Sequence, residues 1–413
     1  MKPSLSSRQR MLAAVSCQPP DHTPCAFMLF KGLHTRSRNY LDFLEAQLAL
    51  GLDTVVQLPP RSPIVRNDHY NLHGLPVRYG PQVQIVEWKE KSPGEEYPIL
   101  VKEYRTPAGT LRAEVRQTRD WPWGDHLTLF DDYIEPRSRK FLIESINDLE
   151  TLRCLLVPPT EEEAGQFLAE AQPYLQFAQQ KGLLVTGGWG VGADLIGWLS
   201  GLVNMIKFTR RQPEFIQAFL DIIAAWNRTR MEVILSAGID LFIKRAWYEN
   251  CDFWTPADWK QFIQPILKQD VSLAHEHGAR FGYILTSSAM PLLEPIIETG
   301  VDVLIGVDPL KYDLGRAVEL SDRKLSLWGG VNGPLTVELG TPNQVAREVE
   351  ACLDIAGKTN GFILSPVDNV RELSPEAEAN ILALIKAWKS KALKRQGISQ
   401  PGHATMEEFK GNK

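Results

Sequence analysis

The chain has 413 residues, 44% of them hydrophobic and 23% charged, the make-up of a globular protein with a large core. Its formal net charge of −5 is mild for that length and argues against a nucleic-acid surface or a polybasic membrane patch. There is no run of about 18 apolar residues to span a bilayer, and the five scattered cysteines contain no CxxC, so they read as reduced thiols rather than a zinc knuckle.

In chain order, the opening MKPSLSSRQRMLAAVSC has too short an apolar run for a secretory signal, so a cytoplasmic protein is expected. Residues 24–29 (PCAFML) and 54–58 (TVVQL) read as the first two strands. Residues 64–135 do not alternate between strand and helix. They contain VQIVEW, YPILVKEY and LRAEVRQT separated by Pro-Gly and Pro-Ala-Gly turns, and so predict antiparallel hairpins inserted after the second strand. Such an insertion is either a wall over the reaction face or an oligomer-contact arm.

Thr160 followed by three glutamates opens a helix running to about 181. Short apolar runs at 183–186, 241–244, 280–284, 301–305, 325–328 and 361–364 then alternate with helical segments and predict buried parallel strands. Thr255, Thr341 and Ser374, each before a proline, mark helix starts. Eight strands in βα alternation predict an α/β fold, a (β/α)₈ TIM-type barrel over residues 1–395, with 396–413 as a loose tail.

Several motifs in this order resemble the uroporphyrinogen decarboxylase superfamily. They include Arg8-Gln-Arg10-Met-Leu-Ala-Ala14 with Asp21-His-Thr-Pro24, Gly187-Gly-Trp-Gly190, Arg211-Gln-Pro-Glu-Phe215 and Trp254-Thr-Pro256. They continue with His275-Glu-His-Gly278, Glu298-Thr-Gly-Val-Asp302, Trp328-Gly-Gly-Val-Asn332 and Gly361-Phe-Ile-Leu-Ser-Pro366. The resemblance implies a (β/α)₈ barrel, often a homodimer, and one of two chemistries. These are decarboxylation of a tetrapyrrole-like or other carboxylated substrate, and methyl transfer with a corrinoid.

The chain departs from both branches. Where the family's methyltransferases place a zinc-binding His-x-Cys it has Tyr283-Ile-Leu285, and the later ligand position falls in Val367-Asp-Asn369. No metal site is therefore expected. The decarboxylases' first-loop arginine motif is replaced by Phe30-Lys-Gly-Leu-His34-Thr-Arg36, and their second-strand aspartate by Gln57.

Catalytic groups of barrels lie where strands end, which nominates candidates strand by strand. Lys31, His34 and Arg36 follow the first strand, and Lys244 and Arg245 the fourth, together suggesting a basic mouth for an anionic substrate. The alternative is an internal ion pair of the latter two with Asp308 or Glu249. Trp247 and Tyr248 would line the site, and Trp189, Trp247 and Trp328 would give flat walls or simply core. Tyr283, Asp308, Asp368 and Glu249 are the candidate proton-handling groups; Asn332, Asn369 and Arg371 complete the ring. His275 and His277 precede the fifth strand and read as structural.

The expected function is thus a metal-independent carboxy-lyase needing no cofactor. The alternatives are a methyltransferase served by a corrinoid protein and a non-catalytic binding barrel.

Overall fold

The computed structural model describes residues 4–59 and 78–393. The first part of the expected insertion and the whole expected tail lie outside the described residues. The strands are β1 (Val55–Leu58), β2 (Gln84–Glu90), β3 (Ile99–Thr106), β4 (Gly109–Arg116), β5 (Ser138–Lys140) and β6 (Leu184–Gly190). They continue as β7 (Leu241–Arg245), β8 (Arg280–Ile284), β9 (Val303–Val307), β10 (Ser326–Asn332) and β11 (Phe362–Val367).

Seven of these form one parallel sheet in the order β1-β6-β7-β8-β9-β10-β11, so each strand pairs with its neighbour along the chain and helices make the crossovers. Strands β7, β9, β10 and β11 are buried at every residue, which accounts for their near-continuous apolar sequences. Thr160, Thr341 and Ser374 cap helices Glu161–Lys181, Pro342–Ile355 and Pro375–Trp388, as expected. The sheet curls strongly, because one cavity is lined at once by Val55 of β1 and Trp328 of β10, five positions away in the sheet.

The eighth strand is where structure and sequence differ. Residues 24–29 form only two isolated parallel bridges, Cys25 to Leu364 of β11 and Leu29 to Asn369 just beyond its end. Between them the Met28 N–H donates to the Ser365 hydroxyl (2.9 Å) instead of a main-chain carbonyl, which interrupts the ladder. On the other side Cys25 O accepts from Asp53 N–H, and Asp53 Oδ2 accepts from Cys25 N–H. The result is a curled half-barrel of seven strands with an irregular segment along its edge, not a closed eight-strand ladder.

The insertion forms its own antiparallel sheet, β2-β3-β4-β5, whose last strand lies just past the expected end at residue 135. The following stretch folds over it, with Trp121, Leu127 and Ile134 packed on Leu100 and Val115. It is anchored to the parallel unit by Phe130, stacked at 5.7 Å on Trp198 of helix Asp194–Ser200. Among the described residues no helix is long and apolar enough to cross a membrane.

Candidate active site

On a strand successive side chains point to opposite faces, and β7 shows what this does to the expected basic mouth. Ile243 lines the cavity on the concave face of the sheet. Lys244 therefore points the other way, and its Nζ lies 2.9 Å from Asp270 on helix Gln264–Glu276, at 2% residue exposure. Tyr283 sits beside Lys244 in the register and shares that outer face. Its hydroxyl donates a short hydrogen bond to Glu249, which also accepts from the Ala193 N–H at 2.8 Å.

Gly192 leaves the space this carboxylate fills: a Cβ there would fall 1.8 Å from Glu249 Oε1. Burial, then Glu249, pushes the Tyr283 phenol well above its ordinary range. Burial alone would lower the Lys244 ammonium, but Asp270 and Glu249 reverse this and raise it. Lys244, Glu249 and Tyr283 thus form a buried brace between sheet and helices. Their polar ends meet one another, Asp270 and the Ala193 N–H, on the face of the sheet opposite the cavity.

Arg245 emerges at the end of β7. Its guanidinium carbon lies 3.9 Å from the Trp247 ring centre and 4.4 Å from that of Trp198. Nε is 2.9 Å from Asp194 Oδ2, and Nη2 is 3.0 Å from both oxygens of Asp132. Tyr248 also donates to Asp132, at 2.8 Å. Nothing in the sequence around Asp131, Asp132 or Asp194 marks them as site residues. Asp131 and Asp132 arrive from the insertion, 113 residues before Arg245 in the case of Asp132, and no local pattern marks such a contact.

Burial raises the Asp194 carboxyl from 3.8 to about 6 against the pull of Arg245. Burial likewise lifts Asp131 to about 6, opposed by the Tyr133 N–H and reinforced by Asp132. A carboxyl raised in the folded state contributes stability that is fully present below its unfolded pKa and is lost as pH rises through the folded value. Asp131→Asn is therefore expected to match wild type near pH 4 and to be more stable at pH 7.5. Allowing for partial solvent screening, the gain is about 1–2 kcal/mol, read as a urea-midpoint difference between the two pH values.

The cavity itself encloses about 280 Å³. Val55, Ile243, Ile284, Ile305 and Trp328 give it an apolar floor, each from a different strand. Gln57 and Thr186 add polar groups, and the Gln57 amide nitrogen is buried without a hydrogen-bond partner among the described residues. Lys31, His34 and Asn369 lie at its rim, where Asn369 Oδ1 accepts from the Lys31 N–H at 3.0 Å. Lys31 is exposed, and His34 packs 4.8 Å from the Phe43 ring.

The remaining candidates are dispersed. Arg36 turns away to Glu378 and the Leu373 carbonyl. Asp308 accepts from Asn332 (2.8 Å) and from the Leu310 N–H, a brace between the loops after β9 and β10. Asp368 adopts φ 67° next to Asn369 and pairs with Arg371 at 3.3 Å; burial raises its carboxyl despite that arginine. The Trp189 side chain lies outside what is described. His275 pairs with Asp302 at 2.7 Å, a structural contact at the amino end of the sheet. Among the described residues no three His, Cys, Asp or Glu side chains are grouped to hold a metal ion.

A curled parallel α/β sheet with a cavity on its concave face and a rim made by the loops after its strands has the layout of a ligand-binding α/β half-barrel. The sequence profile of uroporphyrinogen decarboxylase (URO-D) matches residues 127–390, well over half the chain, and the protein belongs to that family. A methyltransferase from Methanosarcina mazei superposes with a TM-score of 0.56 at 16% identity, covering 94% of this chain and 99% of that one. At that identity the likeness is one of fold.

Two weaker structural matches are a D-psicose 3-epimerase from Clostridium cellulolyticum H10 and a B12-independent methionine synthase from Shewanella sp. W3-18-1. The epimerase gives a TM-score of 0.33 at 11% identity, over 58% of this chain and 83% of that one. The synthase gives 0.35 at 11% identity, over 56% and 67%. No curated protein matches the sequence.

Proposed function

We propose that this URO-D family member is an enzyme acting in the concave-face cavity on a small, largely apolar carboxylic acid, and that it removes the carboxyl group as CO2. The observation that carries this is a floor of isoleucine, valine and tryptophan with a single ammonium, an imidazole and three amides around it. Such a site suits one acidic or polar end on an apolar body, and a multiply carboxylated tetrapyrrole much less.

With the apolar body on the isoleucine floor, the carboxylate at the rim is drawn out of bulk water and loses hydration that neutral CO2 does not need, which favours C–C cleavage. Lys31 holds the negative charge at the rim. The Gln57 N–H donates to an acceptor on the substrate body, satisfying a donor otherwise left unpaired. As CO2 leaves, the electron pair of the broken C–C bond moves onto a β-carbonyl or hydroxyaryl ring of the substrate itself, and the carbon that lost CO2 then takes a proton from His34, which lines the same cavity. Asp368, beside Asn369, is the next carboxyl along the rim.

With CO2 release measured on a panel of small β-keto and hydroxyaryl acids, Lys31→Ala is expected to raise KM about 10-fold with kcat within 3-fold. His34→Gln is expected to lower kcat about 100-fold or more. Full activity in His34→Gln removes it from the mechanism.

A second reading, methyl transfer, draws support from the same isoleucine-and-tryptophan lining, which accommodates a methoxy or methylamine group equally well. The acceptor would then be a corrinoid carried by a partner protein. Methylcobalamin formation without CO2 would select it. Neither product from any substrate that binds would indicate a binding protein.

A further inference from the structure

The Arg245 centre lies outside the cavity chemistry, and its geometry is that of an anion receptor with an occupant. Four donor contacts converge on Asp132. Arg245 Nη2 reaches both oxygens at 3.0 Å, while the Tyr248 hydroxyl and the Trp198 indole N–H each reach Oδ1 at 2.8 Å. The receptor is held in place without Asp132. Its guanidinium is sandwiched between Trp198 and Trp247, and Asp194 pairs with its far side at 2.9 Å while accepting the Tyr248 N–H at 2.8 Å.

Receptor and occupant differ in setting. The Arg245 side chain is 10% exposed and the Asp132 side chain 43%. Asp132 rides on a turn of the insertion that is closed locally, by the Tyr133 N–H on the Asp131 carboxylate and the Ile134 N–H on the Asp131 carbonyl.

We propose that this receptor is a carboxylate-binding site, that Asp132 fills it in the resting state, and that a ligand carboxylate enters by displacing the turn at 131–134. Exchanging one carboxylate for another leaves the charge and the hydrogen-bond count of the receptor unchanged. A half-exposed aspartate returns to water at little cost, because water replaces the hydrogen bonds it gives up. The buried fork of Arg245, by contrast, must stay occupied. Trp247 also packs on the apolar cluster of Ile243, Ile284, Ile305 and Trp328, so a carboxylate on Arg245 sits one indole away from the cavity. The site uses neither Lys31 nor His34, and it can stand or fall apart from the decarboxylation proposal.

The test titrates benzoate into the full-length protein at constant ionic strength, with chloride as the control anion. Asp132→Ala is expected to bind benzoate at least 10-fold more tightly than wild type. Tyr248→Phe added to it should weaken binding several-fold, and Arg245→Gln should abolish it. In wild type, saturating benzoate should speed amide hydrogen exchange at residues 131–135. Equal affinity in wild type and Asp132→Ala, or unchanged exchange of that turn at saturation, overturns the proposal. So does binding that ignores Asp132→Ala and Tyr248→Phe but is lost on Lys31→Ala, since the carboxylate would then be in the cavity.

Discussion

Asp270→Ala is expected to lower the free energy of unfolding by about 3–5 kcal/mol, because it leaves the Lys244 ammonium buried without its carboxylate. Asp270 also pairs with Arg228 at 3.2 Å, so one substitution uncouples helix Pro213–Ser236 as well as β7. Replacing both charges, as Lys244→Met with Asp270→Leu, should recover at least half of the loss, since apolar groups of similar volume need no partner in that setting. Urea midpoints of Asp270→Ala, the double variant and Lys244→Met alone measure this directly. The same experiment separates a structural brace from a substrate anchor. An anchor would leave the midpoint of Lys244→Met near wild type and raise KM for an acidic substrate.

Val55→Phe should have the largest effect on activity with the smallest effect on the fold. Val55 is half-buried and borders the cavity, so the added ring has open space to enter. A phenyl group there takes the volume a substrate needs and displaces it from Lys31 and His34. A displacement of this kind costs about 100-fold or more in kcat/KM. The urea midpoint should shift by no more than the equivalent of about 1–2 kcal/mol. Wild-type turnover in this variant would move the reaction out of the cavity altogether.

Much of the fold could be read from the chain because each local signal agreed with the next. Apolar runs such as LFIK and GFIL became β7 and β11, and the hydroxyl caps at Thr160, Thr341 and Ser374 began the helices between strands. The run PCAFML carries equally strong strand chemistry, yet it pairs only at two bridges. What breaks its ladder is the Ser365 hydroxyl, a partner 337 residues away that no window around Met28 contains.

The site was legible only in part, for two different reasons. The opposite facing of Lys244 and Arg245 follows from strand pleating alone, so the expected joint cup conflicts with a rule the sequence already contained. Lys31, His34 and Asn369 do share one rim, as their positions after strands imply. Asp132 and Asp194 meet Arg245 through the packing of the insertion on helix Asp194–Ser200, which depends on the Phe130–Trp198 stack and on no motif. Gln57 is marked in the sequence only as the residue standing where the decarboxylases have an aspartate, and that its amide nitrogen is buried without a partner among the described residues shows only once the strands are packed.

The most direct measurement follows isoleucine δ1 methyl resonances while a turned-over carboxylic acid, or its non-reactive analogue, is titrated into the protein. Substrate bound on the concave face shifts Ile243, Ile284 and Ile305 together and leaves Ile266 and Ile297, on the helical side, in place. Val55→Phe should erase those shifts. Saturable binding that leaves all three cavity isoleucines unmoved would contradict a reaction in that cavity.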